Sequence, residues 1–240
     1  MAGHSKWANI KHKKERADAK KGKIISRCAK EIISAVKQGG SDPKTNTRLR
    51  IALQKARQAN VSSDVIERNI KKASSADQAD FSEMIYELYG HGGIGIVAFA
   101  LTDNKNRTIS EIRIATNKKG GSIASPGSVT FNFDLKGVIQ IEKSQGDEEA
   151  LFLTSTECGA EDFEESEEHY LVTTPPKLLF EVKEALESRG IETSDSTLEM
   201  IPKLYVSCDE ETRLANEALI TYLEALDDVD MVFHNMEEGS

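Results

Sequence analysis

The most informative stretch for the fold is residues 136–200, which read KGVIQIEKSQGDEEALFLTSTECGAEDFEESEEHYLVTTPPKLLFEVKEALESRGIETSDSTLEM. Short apolar or alternating runs, typical of strands, exchange here with longer helical patterns. A Pro pair precedes the second helical pattern and a Gly follows it, as expected where a helix begins and ends. The order β-α-β-β-α-β is ferredoxin-like, and its predicted elements are Gly137–Ile141, Glu148–Glu157, Asp162–Glu165, His169–Thr173, 176–189 and Ile191–Met200.

The regions on either side of this stretch predict two parts of another α+β domain. Residues 80–130 supply strands and one helix, and residues 202–235 supply a strand, a helix and a strand. The economical arrangement is one α+β domain interrupted by another. Local expectations are a helix N-cap at Thr108, a strand through Val129–Phe133 and a strand at Pro202–Ser207.

The N-terminal region predicts a small helical bundle. Apolar residues recur at helical spacing between Lys20 and Gly39, and shorter amphipathic patterns follow at 46–59 and after Ser62. The predicted fold is therefore α+β multidomain, with an N-terminal three-helix bundle plus two ferredoxin-like α+β domains, one inserted in the other. The predicted boundaries are 1–77 for a basic helical domain, 78–134 with 201–240 for a discontinuous α+β domain, and 135–200 for an inserted acidic domain.

Charge is distributed very unevenly along the 240 residues. The net charge of −9 conceals a first segment, residues 1–75, with 19 basic and 6 acidic residues. Residues 76–240 carry 12 basic and 34 acidic residues. A net of +13 beside a net of −22 indicates a basic interaction region joined to acidic domains.

Several classes of protein are disfavoured by the same sequence. The longest apolar run, Ile94–Leu101, is far shorter than the ~20 residues of a membrane span. Three widely spaced cysteines indicate neither a disulfide framework nor a zinc site, and a reducing cytoplasm is the expected location. Gly90–Gly95 matches G-x-G-x-x-G but runs into an apolar strand, so a turn is favoured over a nucleotide site. No catalytic or metal-binding motif is recognised, and we expect a non-enzyme without a cofactor.

The basic region is the feature that carries a functional prediction. Eight cations fall within positions 6–23, and clustered cations of this density favour a polyanion such as nucleic acid. Trp7 stands among them and either anchors the N-terminus on the bundle or stacks on an unpaired base. The predicted nucleic-acid-binding residues are Lys6, Trp7, Lys11, His12, Lys13, Lys14, Lys20, Lys21, Lys23, Arg27, Arg48, Arg50 and Arg57.

Two questions stay open at the level of these residues. The cations suit duplex DNA and ribosomal RNA equally, because both present phosphate. The basic arm also suits an acidic protein partner, or the acidic domains of its own chain, which would make this a protein–protein interaction module. We expect the acidic domains to face a protein partner or solvent.

Several motifs resemble the YebC/PmpR family. The opening GHSKWANIKH of residues 3–12 is the most distinctive, and further matching segments are DAKKGK at 18–23, NTRLR at 46–50, IERNIK at 66–71, YELYG at 86–90, LTDNKNRT at 101–108 and GSV at 127–129. The resemblance implies a helical domain followed by two α+β domains, one inserted in the other. It implies a cytoplasmic regulator of gene expression, most often described as a probable transcriptional regulator that binds DNA. Other members act on the ribosome as translation factors, where the family is linked to relief of stalling at proline-rich stretches.

Overall fold

A computed structural model describes Ile10 and residues 21–73, 81–166 and 169–237. These residues form two compact units. The first contains 21–73, 81–126 and 209–232, and the second contains Ile10, 127–166, 169–208 and 233–237. No helix within the described ranges is long and apolar enough to cross a membrane.

The first unit begins with the predicted three-helix bundle. Its helices are α1 (Lys21–Gly39), α2 (Thr47–Gln58) and α3 (Ser63–Ala73). Ile32, Leu49 and Ala56 are almost completely buried in its core, as the helical spacing of apolar residues requires. Asn46 ties the turn between α1 and α2 to both helices: it caps α2 by accepting from the Leu49 amide at 3.0 Å and donates to the Ala35 carbonyl of α1 at 2.8 Å.

A four-stranded sheet completes the first unit. Its elements are β1 (Ser82–Tyr89), β2 (Gly95–Thr102), α4 (Lys105–Lys119), β3 (Ser122–Ile123), α7 (Glu210–Ala225) and β8 (Val229–His234). The strand order is β3-β1-β2-β8. This is the spatial order of a ferredoxin-like sheet, with the first strand of the chain taking the place that the third strand normally occupies.

The inserted domain forms a second sheet. Its elements are β4 (Phe133–Glu142), α5 (Glu148–Glu157), β5 (Asp162–Glu165), β6 (His169–Thr174), α6 (Leu179–Ser188) and β7 (Thr193–Pro202). The order β5-β6-β4-β7 is ferredoxin-like, with antiparallel pairing throughout. Ile139, Ile141 and Val172 pack against Leu179 and Leu186 on the helix-covered side of this sheet. The predicted fold class is thus confirmed, whereas the exact domain boundaries stay a prediction.

The glycine-rich stretch between β1 and β2 is a structural turn. His91–Gly93 forms a short 3-10 helix, and Gly92 has a φ of 65° that favours glycine. The buried Asn216 of α7 accepts from the His91 amide at 2.9 Å and donates to the His91 carbonyl at 3.1 Å. The Asn216 side chain thus satisfies both the amide and the carbonyl of His91. The glycine-rich stretch therefore serves as the turn between β1 and β2.

The predicted N-cap at Thr108 is wrong. α4 begins at Lys105, and Asn104 caps it by accepting from the Arg107 amide at 3.0 Å. Thr108 lies inside the helix and is fully buried. Its hydroxyl bonds to the Asp228 carboxylate at 2.9 Å, a partner 120 residues away that the local pattern could not indicate.

Two predicted strands are also wrong in part. Thr130–Asn132 forms a 3-10 turn, so Val129 and Phe131 precede the strand that starts at Phe133. Pro202 ends β7 and does not begin a new strand, and the following segment contributes an isolated bridge between Val206 and Met236. The alternating apolar residues in these two connections predict strands. In the structure the connections instead bond to each other, for example through Lys203 N and Asn132 O at 2.8 Å.

Candidate nucleic-acid interface

The structure describes the side chains of four of the thirteen predicted binding residues. Lys6, Trp7, Lys11, His12, Lys13, Lys14 and Lys20 lie outside the described residues. Lys21 and Lys23 belong to the first turn of α1, but their side chains are not described. The remaining four are Arg27 on α1 and Arg48, Arg50 and Arg57 on α2.

Arg27 is held by carboxylates of its own unit. Its Nε lies 3.0 Å from Glu31, one turn along α1, and 4.0 Å from Asp230 on β8. Burial opposes the charged form, but Glu31 and then Asp230 more than offset it and raise the pKa of Arg27 above its ordinary value. This guanidinium is therefore part of a packed contact between the bundle and the sheet.

Lys30 lies one turn further along α1 and makes the closest contact with the sheet. Its ammonium lies 3.0 Å from Asp228 Oδ1 and donates to the Asp227 carbonyl at 2.8 Å. It also lies 3.4 Å from the Leu101 carbonyl and 5.9 Å from the centre of the Phe81 ring. All three donors of the ammonium thus have acceptors within the protein.

Asp228 is the centre of this contact and is almost completely buried. Arg107 donates to its Oδ2 at 2.7 and 3.2 Å, and the hydroxyls of Thr102 and Thr108 do so at 3.0 and 2.9 Å. Burial favours the neutral acid, but the hydrogen bonds from Arg107, Lys30 and Thr108 outweigh it and lower the pKa of Asp228 to about 2. We call Lys30, Thr102, Arg107, Thr108 and Asp228 the Asp228 cluster.

The cations on one flank of α2 also have partners close by. Arg48 donates to Gln38 of α1 and lies 3.9 Å from Glu83 of β1. Lys55, seven residues further along α2, lies 3.4 Å from Glu31 of α1. These pairs are exposed or half-exposed, so each contributes at most about 1 kcal/mol.

Arg50 and Arg57 occupy the other flank of α2. Both residues are exposed, and their separation of seven residues places them on one face, two turns apart. The buried stripe of α2, which includes Leu49 and Leu53, lies between this flank and the flank of Arg48. Arg50 and Arg57 therefore lie on one exposed face of α2.

Sequence reasoning omitted a group of cations on α3. Arg68, Lys71 and Lys72 are exposed, while Ile66 and Ala73 of the same helix are buried. The signal was available, since the segment KK at 71–72 and Arg68 belong to the same basic region.

The chemistry of these exposed cations is that of an anion-binding surface. Arginine offers planar, bidentate donors that match phosphate oxygens, and lysine offers a mobile point charge. Within the described ranges, no group of three or more His, Cys, Asp or Glu side chains is arranged to hold a metal ion. The arrangement can neutralise and position a polyanion.

Comparison with known proteins agrees with the fold. Residues 5–76 match the TACO1/YebC protein N-terminal domain, and residues 81–236 match the TACO1/YebC second and third domain. A crystal structure of a conserved hypothetical protein from Aquifex aeolicus is similar, with a TM-score of 0.81, 40% identity, and coverage of 92% of this chain and 91% of that chain.

Curated relatives span almost the whole sequence. A protein of Protochlamydia amoebophila, named a probable transcriptional regulatory protein, is 62% identical over 237 residues, which cover 99% of this chain and 97% of the relative. A protein of Chlamydia pneumoniae with the same description is 57% identical, with coverage of 98% and 100%. With both parts of the family matched along nearly the full length, this chain belongs to the TACO1/YebC family.

Proposed function

We propose that this chain is a non-enzymatic, cytoplasmic regulator of gene expression that binds nucleic acid through its basic helical domain. The observation that carries the proposal is the separation of cations into two sets. Arg27 and Lys30 are paired with carboxylates of the first unit, whereas Arg57 of α2 and Arg68 and Lys71 of α3 are exposed. This exposed set can reach phosphate.

Duplex DNA is the polyanion that we favour. The relatives are named probable transcriptional regulatory proteins, and a regulator of transcription acts where DNA is bound. Base reading is not part of the proposal, because the described face offers arginine and lysine without the Asn or Gln pattern of a recognition helix. Affinity is then mainly electrostatic and weakly dependent on sequence.

The acidic domains limit how a nucleic acid approaches. Residues 127–208 carry 6 basic and 18 acidic residues, so a phosphate backbone is repelled from them. The nucleic acid therefore approaches the bundle, and the acidic domains face solvent or a protein partner.

Titration of binding against salt tests the proposal directly. We expect the affinity of the full chain for a fluorescent 20-base-pair duplex to fall linearly in a log–log plot. The expected slope is about −0.9 for each phosphate neutralised. A slope near zero would show that the contact is not with the phosphate backbone and would refute the proposal.

A charge-matched pair of variants then locates the surface. Arg57→Ala/Arg68→Ala should make the slope shallower by about 2, because two phosphate contacts are lost. Lys105→Ala/Arg113→Ala on α4 removes the same charge from exposed positions outside the bundle and should leave the slope unchanged. Equal effects of the two pairs would mean that net charge alone governs binding.

The same proteins distinguish DNA from ribosomal RNA. Binding to the duplex is compared with co-sedimentation with ribosomes at the same salt concentration. Loss of both in Arg57→Ala/Arg68→Ala shows one shared phosphate surface. Strong co-sedimentation with negligible duplex binding would replace the DNA proposal with a role in translation.

A further inference from the structure

The inserted sheet has one side that its helices do not cover. α5 and α6 pack on the side formed by Ile139, Ile141 and Val172. The opposite side contains Val138 on β4, Leu171 on β6 and Ile201 on β7. Successive side chains of a strand point to opposite sides of a sheet, so the strand registers identify the other residues that share this second side.

This second side is strongly acidic. Glu199 is directly opposite Lys136, Asp195 is opposite Gln140, and Glu164 is opposite Leu171. Opposed residues in antiparallel strands share a side, which makes this side an array of carboxylates with Lys136 among them. We call it the acidic sheet face, and its carboxylates belong to Asp134, Glu142, Asp162, Glu164, Asp195 and Glu199.

Ile10 is seated on the acidic sheet face. Its side chain is 7% exposed and packs with Val138, Leu171 and Ile201. Ile10 comes from the basic N-terminal segment and is distant in sequence from all three residues. An aliphatic side chain from this segment therefore occupies the apolar centre of an otherwise acidic surface.

The charges of the two partners are complementary. Residues 1–11 contain two lysines, Lys6 and Lys11, and no Asp or Glu, and Lys11 directly follows Ile10 in the sequence. Glu199 is 5% exposed although it is a carboxylate, and burial of a carboxylate is favourable only when cations or donors surround it.

We propose that the acidic sheet face is a docking surface for the chain's own basic N-terminal segment, anchored by Ile10 and closed by ion pairs with the lysines that flank it. The face acts as an internal mimic of a phosphate backbone. Nucleic acid then competes with these carboxylates for the same lysines. This part of the inference rests on the proposed function, whereas the docking itself does not.

Carbodiimide crosslinking of the full chain tests the docking without nucleic acid. The reagent joins a lysine amine to a carboxylate that is in direct contact with it. We expect amide links between Lys6 or Lys11 and a carboxylate of the acidic sheet face, located by mass spectrometry. Ile10→Asp should abolish them, because it places a like charge on the face, whereas Ile10→Leu should retain them. Absence of these links in the unmodified protein would overturn the proposal.

A second measurement tests the competition. Glu164→Gln/Glu199→Gln keeps side-chain shape but removes two negative charges from the acidic sheet face. The affinity for a 20-base-pair duplex at low salt should rise about threefold to tenfold as lysines are released. The control is Glu181→Gln/Glu184→Gln, which removes the same charge from exposed positions on α6, on the helix-covered side. An equal rise in both would attribute the gain to net charge and would refute competition.

A failure of the proposed function can be distinguished from a failure of the docking proposal. If no variant binds the duplex, the proposed function fails while crosslinking still decides whether the segment docks. If duplex binding is strong and the crosslinks are absent, the docking proposal fails alone. Thermal unfolding of each variant checks that the fold is retained.

Discussion

The ammonium of Lys30 lies 3.0 Å from the carboxylate of Asp228, across 198 residues of sequence. Lys30 belongs to the helical bundle, and Asp228 immediately precedes the last strand of the first sheet. The side chains are 15% and 3% exposed, so water screens the pair only weakly. This contact joins the basic helices to the sheet and removes one cation from the surface that is open to nucleic acid.

Removal of the Asp228 charge should destabilise the first unit. In Asp228→Asn, Lys30 and Arg107 lose their shared carboxylate while remaining charged and partly buried. Breaking a buried ion pair in this way costs about 3–5 kcal/mol. Urea unfolding followed by circular dichroism measures the loss. Asp227→Asn is the control, because Asp227 is exposed and contacts Lys30 through its backbone carbonyl; a comparable loss there would contradict the prediction.

The lowered pKa of Asp228 predicts that the free energy of unfolding depends on pH. The pKa of Asp228 is about 2 in the folded protein, below its ordinary value of 3.8. A lowered pKa means that ionised Asp228 stabilises the fold above about pH 4 and that this stabilisation is lost as pH falls through 2. The contribution is on the order of 2 kcal/mol. The difference in unfolding free energy between the unmodified protein and Asp228→Asn should therefore narrow below pH 4, and a constant difference from pH 6 to 2.5 would argue against the assignment.

Removing the charge of Lys30 should affect stability but not nucleic-acid binding, whereas removing the charge of Arg57 should affect binding but not stability. Lys30→Met should lower the free energy of unfolding by about 1–3 kcal/mol, yet leave the salt slope of nucleic-acid binding unchanged, because its charge is already paired. Arg57→Met should change stability by less than about 0.5 kcal/mol but make the slope shallower by about 0.9. Denaturant titration and fluorescence anisotropy on both variants check this. Equal effects on binding would show that the contact with Asp228 does not withhold Lys30 from the polyanion.

Two polar residues near the start of α4 should contribute to stability for different reasons. Asn104→Ala removes the N-cap and should cost about 1 kcal/mol. Thr108→Val removes a buried hydroxyl that donates to Asp228 and should cost about 2 kcal/mol. Only the Thr108 effect should shrink when it is combined with Asp228→Asn in a double-mutant cycle. Ser110→Ala, whose hydroxyl bonds to the Asn106 carbonyl on the exposed side of α4, is the neutral control.

Elements with strong local signals were predicted well from the sequence. The helix Glu148–Glu157 and the strand Asp162–Glu165 were predicted to the residue, and so was the end of α1 at Gly39. In these segments, apolar spacing and capping residues act within a few positions, so the local pattern contains the relevant physics. The wrong N-cap at Thr108 has the opposite origin, since its hydroxyl is engaged by a distant carboxylate.

The candidate interface, too, could be predicted from the sequence only in part. The sequence by itself determined the uneven distribution of charge along the chain, because charge composition does not depend on folding. It also predicted the helices that carry Arg27, Arg48, Arg50 and Arg57. Which cations reach solvent was decided by tertiary structure: Lys30 and Arg57 are both cations on amphipathic helices, yet one meets a buried carboxylate and the other is exposed. The sheet determines this difference, because only folding brings Asp228 within hydrogen-bond distance of Lys30 on α1.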